Sequence, residues 1–85
     1  MAEYSIFFRK SVEKDLARIP EREVLRLMER VQALAADPRP CGCEKLSGQE
    51  QYRVRQGRYR IIYSIQDEKL TVWIVKIAHC RDVYR

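Results

Sequence analysis

Tyr52-Arg53-Val54-Arg55-Gln56-Gly57-Arg58-Tyr59-Arg60-Ile61-Ile62-Tyr63-Ser64-Ile65 is the stretch that decides the fold. Aromatic or aliphatic residues alternate with arginines through most of it, the period-2 pattern of strands with one buried face. Gln56-Gly57 interrupts the pattern and fits a tight hairpin turn between a strand from Tyr52 to Arg55 and another from Arg58 to Ile65. With that turn, Arg55 stands opposite Arg58, Val54 opposite Tyr59 and Arg53 opposite Arg60. Side chains alternate along a strand, so Arg53, Arg55, Arg58 and Arg60 project from one face and Tyr52, Val54, Tyr59, Ile61 and Tyr63 from the other. The tyrosines therefore read as packing residues and not as a base-stacking platform. Like charges placed directly opposite are destabilising by a few tenths to ~1 kcal/mol per pair, a repulsion that a bound polyanion turns into attraction. Arginine also has the planar fork that grips phosphate oxygens in pairs, and it stays charged at any physiological pH.

Outward from the hairpin, Gln66-Asp67-Glu68-Lys69 predicts a second turn, and Leu70 to Ala78, rich in β-branched residues, a third strand. Pairing Ser64 with Thr71 across that turn brings His79 out on the arginine face as a candidate base or ligand. Toward the N-terminus, Tyr4, Ile6 and Phe8 alternate with Ser5 and Phe7 as a further strand. Ser11 offers an N-cap for a short helix whose apolar side is Val12, Leu16 and Ile19. Pro20 interrupts that helix and suits the first turn of the next. From Glu21 to Ala36 the apolar positions Val24, Leu27, Met28, Val31, Leu34 and Ala35 follow helical spacing, and Asp37 to Gly42 form a loop. The expected fold is α+β: strand, helix, helix and a three-strand meander, with two helices packed on one face of an antiparallel sheet.

The chain has 85 residues and a formal net charge of +5, the size of a single domain spanning residues 1–85. Hydrophobic content of 46% with 34% charged residues fits a folded domain and not a disordered tail. The longest apolar run, Val72 to Val75, is too short for a bilayer, and Met1-Ala2-Glu3-Tyr4 carries neither a basic leader nor an apolar signal segment. A cytoplasmic protein with no membrane association is expected. Cys41, Cys43 and Cys80 then read as reduced thiols. Together with His79 they number four zinc-type ligands, but the Cys41-Gly42-Cys43 spacing is not that of a zinc knuckle, so neither metal nor cofactor is expected. Residues 1–50 carry nine basic and nine acidic side chains, residues 51–85 eight and three, so the whole positive excess lies in the second part. That placement points to a polyanionic partner, the alternative being a solvated face.

The run Tyr52 to Tyr63, followed by Val75-Lys76-Ile77-Ala78-His79-Cys80-Arg81-Asp82-Val83-Tyr84-Arg85, resembles the RelE/ParE toxin superfamily, specifically its RelE branch. That resemblance implies the same strand, two helices and meander. It implies a toxin of a toxin–antitoxin pair, a ribosome-dependent endonuclease that cleaves mRNA in the ribosomal A site and so inhibits translation. The family works without a metal: the mRNA 2′-hydroxyl attacks the adjacent phosphate while basic side chains neutralise it. Carried over residue by residue, the catalytic set is Arg53, Arg55, Arg60, His79, Arg81 and Tyr84, with Arg53, Arg55, Arg58 and Arg60 binding the nucleic acid. In the best-known members two lysines occupy the positions of Arg53 and Arg55, and a guanidinium releases a proton less readily than an ammonium, which shifts the base role toward His79 or Tyr84. Cys80 stands where many relatives have a basic residue. The implied partners are a RelB-like antitoxin, partly disordered when free, the ribosome with its mRNA, and operator DNA bound by a toxin–antitoxin heterotetramer. Two alternatives belong to other classes: a non-catalytic inhibitor of DNA gyrase, as in the ParE branch, and an inactive member that only binds its antitoxin.

Overall fold

The computed structural model describes residues 3–46 and 51–80. Its elements are β1 (Ser5–Phe8), α1 (Lys10–Ala17), α2 (Glu21–Ala36), β2 (Glu44–Lys45), β3 (Gln51–Gln56), β4 (Tyr59–Gln66), a 3₁₀ turn (Asp67–Lys69) and β5 (Thr71–His79). The sheet order is β1-β5-β4-β3-β2. The meander of β3, β4 and β5 is antiparallel as expected. β1, however, runs parallel to β5, so the sheet is mixed. The helical crossover between them is what a parallel pairing needs. The two-residue β2, absent from the sequence reading, adds an edge beside β3.

The first hairpin turns at Gly57-Arg58, one residue later than the sequence suggested. Gly57 has φ +61°, the left-handed conformation that glycine supplies at the first position of a two-residue turn. Arg55 is consequently opposite Arg60, and Arg53 opposite Ile62. Each partner moves by two residues, and a shift of two keeps every strand side chain on its face. Arg53, Arg55 and Arg60 thus share a face as expected, whereas Arg58 sits in the turn and leaves it.

The second hairpin pairs Gln66 with Thr71 and Ser64 with Trp73, not Ser64 with Thr71. Leu70 closes it at φ +46°. Between the pairs Tyr63–Ile74 and Ile62–Lys76 the register slips, leaving Val75 as one extra residue on β5. Such a bulge flips every side chain beyond it. Lys76 and Ala78 join the arginine face, while Ile77 and His79 stand opposite Ile61 and Tyr59 on the helix-covered side. His79 is therefore not on the arginine face.

The helices lie on one side of the sheet. Val12, Leu27, Val31 and Leu34 pack against Tyr52, Val54, Ile61, Tyr63, Ile65, Val72, Ile74 and Ile77, all buried. At roughly 1.5–3 kcal/mol for each large apolar side chain removed from water, this cluster is the main source of stability. α1 begins at Lys10 with Arg9 as its N-cap residue, so Ser11 falls inside the first turn. The cause is local: the Arg9 amide still bonds to Ile74 in the sheet, and its carbonyl already accepts the Val12 amide. Past the end of β1, the Asp15 carboxylate accepts the Ile77 amide at 3.2 Å, which occupies the edge of β5 that β1 leaves open.

One polar clamp ties the opposite end together. The Arg39 guanidinium donates to both oxygens of Asp67 at 3.1 and 2.8 Å, and the Tyr4 hydroxyl donates to Asp67 at 2.8 Å. Arg39 Nε also donates to the Tyr52 hydroxyl at 3.3 Å. The donors from Arg39, then Tyr4, lower the Asp67 carboxyl to about 2. Tyr63 donates to the Pro38 carbonyl at 2.7 Å, and burial raises its phenol above the ordinary tyrosine value.

Candidate nucleic-acid interface

β3 and β4 present Arg53, Arg55 and Arg60 on the sheet face that the helices leave bare. They line an open cleft of about 320 Å³ together with Gly42, Glu44 and Val54. The three arginines are held differently. Arg60 is only 6% exposed, so its guanidinium is set among neighbours and fixed in place. Arg53 is half-buried, and its Nη2 donates to Glu44 Oε2 at 3.3 Å from the adjacent β2, where Glu44 is its register partner. Arg55 is exposed and directly opposite Arg60, a like-charge pair that costs the free protein a few tenths to ~1 kcal/mol.

Such a cleft concentrates fixed positive charge where an anion can enter from solvent. It has one rigid guanidinium, one held by a carboxylate that an incoming phosphate can displace, and one free to reach outward. Among the described residues Glu44 is the one carboxylate lining it, and the sequence reading missed it. Its only signal was position: a short extended segment after the Gly42 loop, three residues beyond the exposed Cys41. Gly42, with φ +94°, turns the chain at the rim.

The other expected residues are placed elsewhere or lie outside the description. Arg58 and His79 are on the helix side, where the His79 ring meets Tyr59 edge-on with centroids 5.4 Å apart. Arg81 and Tyr84 lie outside the described residues. Cys41, Cys43 and Cys80 are free thiols, and among the described residues no three His, Cys, Asp or Glu side chains gather as a metal cluster. Among the described residues no helix is long and apolar enough to cross a membrane.

Comparison with known proteins follows the same lines. Residues 6–84 match the family of ParE toxins of the type II toxin–antitoxin system parDE. Toxin RelG of Mycobacterium tuberculosis is 31% identical, the match covering 96% of this chain and 97% of that one. Among solved structures, the toxin–antitoxin complex RelBE2 of Mycobacterium tuberculosis superposes with a TM-score of 0.84 at 28% identity, covering 93% of each chain. The archaeal RelE–RelB complex of Pyrococcus horikoshii OT3 follows with 0.81 at 30% identity, covering 91% of this chain and 94% of that one. The isolated RelE toxin of E. coli, 22% identical with a TM-score of 0.77, shares the fold. The chain therefore belongs to the ParE toxin family of type II toxin–antitoxin systems, as a toxin with the RelE fold.

Proposed function

We propose that this toxin is a cytoplasmic, ribosome-dependent endonuclease that cuts mRNA in the A site without a metal. The observation that supports this most is the cleft of Arg53, Arg55 and Arg60 on the bare face of the sheet. In the reaction the 2′-oxygen attacks the adjacent phosphorus, the P–O5′ bond breaks, and a 2′,3′-cyclic phosphate and a 5′-hydroxyl result. The guanidinium groups neutralise the charge that builds on the phosphoryl oxygens, the largest single need of such a displacement. The proton of the 2′-hydroxyl needs an acceptor, and His79 stands on the other side of the sheet. Glu44 takes that role, with Arg53 orienting its carboxylate. Tyr84 or Arg81 supplies the leaving oxygen with its proton.

Regulation follows from the same cleft. A RelB-like antitoxin, partly disordered when free, folds an acidic or amphipathic segment over the arginine face, and the pair assembles as a heterotetramer on operator DNA. Two of the relatives above were solved as complexes with RelB-type partners, which supports this reading. A second reading, inhibition of DNA gyrase without RNA chemistry, is favoured by the family description naming ParE toxins.

Primer extension on a reporter mRNA in a bacterial translation extract separates the two. The purified protein should cut only when ribosomes translate, and Arg60→Ala should lose about 10²–10³ in rate with its fold retained. Intact mRNA together with inhibited gyrase supercoiling would assign the toxin to the second reading. Undiminished cutting by Arg60→Ala would remove the arginine cleft from the mechanism.

A further inference from the structure

A second basic cleft lies at the same end of the hairpin but on its helix side. Arg22 and Arg26, four residues apart on α2, and Arg58 in the β3–β4 turn line an open cavity of about 510 Å³ with Glu23, Tyr59 and His79. All three arginines are exposed, and among the described residues none of them is in an ion pair or a side-chain hydrogen bond. Glu23, among the described residues the one carboxylate of the cavity, pairs with none of them. Like charges four apart on a helix repel, and Arg58 brings a third cation from across the cavity. The fold gains nothing from this cluster, because α2 packs through Leu27, Val31 and Leu34 and the turn is set by Gly57.

We propose that this cavity binds the phosphate backbone of a second RNA segment, outside the one being cut. The proposal rests on the endonuclease reading and adds a subsite to it. The two clefts lie on opposite faces of one hairpin: Arg55 and Arg60 pair close to its turn on one face, and Arg58 in the turn lines the cavity on the other. An RNA strand rounding that end touches both. Guanidinium groups grip phosphate oxygens in pairs, and here three of them line one cavity from α2 and from the turn. An acidic protein segment would use the same cations, but the cavity borders the turn of the hairpin that carries the arginine cleft on its other face, so RNA is the better fit.

The test uses the whole chain and a short, fluorescently labelled single-stranded RNA whose 2′-hydroxyls are methylated to block cleavage, with anisotropy followed across salt concentrations. Arg22→Ala/Arg26→Ala should weaken binding about tenfold at low salt and flatten the slope of log affinity against log salt by about 1.4, the share of two phosphate contacts on a single strand. Arg22→Lys/Arg26→Lys should restore the slope. Arg53→Ala/Arg55→Ala should remove a separate share, and the two pairs of changes should add. If only the Arg53/Arg55 variant weakens binding, the second subsite is overturned and the endonuclease reading stands. If neither does, the RNA reading of both clefts falls. A polyglutamate peptide that binds wild type but not Arg22→Ala/Arg26→Ala, while those changes leave the RNA slope unaltered, would give the cavity to an acidic protein instead.

Discussion

At the scale of single residues the site is a contest between three arginines and one glutamate. Arg55 stands directly opposite Arg60, and the Glu44–Arg53 pair sets one negative charge in the same cleft. A carboxylate so placed can also accept a proton, which gives Glu44→Gln a distinct signature. That variant should lose about a hundredfold or more of the cleavage rate with little change in mRNA affinity. An undiminished rate would exclude Glu44 as the base. Three of the four hairpin arginines could be put on one face from the sequence, because strand alternation survives a two-residue error in pairing. Glu44 could not be found that way, since a two-residue strand leaves no periodicity to read.

At the scale of elements, turns and one bulge decide which side chains meet. Gly57 at φ +61° fixes the hairpin, and a Cβ there would approach only Glu23 Oε2, at 4.0 Å. Gly57→Ala should therefore cost about 1 kcal/mol through backbone strain alone, without a clash. A shift of the urea midpoint with an unchanged slope would show it. A larger loss with an altered slope would mean that the turn does more than close the hairpin. The helices and meander strands were legible because their apolar positions recur with clear periods. The bulge at Val75 was not, because Ile74, Val75 and Ile77 are all apolar and any of them suits either face. That single extra residue carried His79 to the helix side.

At the scale of the molecule, charge and clamp act at opposite ends. Arg53, Arg55, Arg58 and Arg60 sit on the β3–β4 hairpin, while Arg39, Tyr4 and Asp67 bind the far end together. Asp67 is held at about 2 in the fold against an ordinary 3.8, so its contribution to stability is complete above pH 4 and is lost as pH falls toward 2. Asp67→Asn should lower the melting temperature at pH 7 and remove that part of the acid decline, which thermal melts from pH 7 to 2 would measure. An acid decline identical to wild type would put the lost stability on other carboxylates. The sum of charges was visible in the sequence, but its division between two clefts was not, because it depends on which side of a turn Arg58 leaves. The parallel pairing of β1 with β5 carries a consequence for how the chain comes into being. Ser5 must wait for Thr71, so through most of synthesis the first strand has no place to dock and Phe7 and Phe8 stay exposed. The hairpin with the arginine cleft is likewise among the later segments to emerge, so a growing chain has no assembled cleft until its sheet is nearly whole.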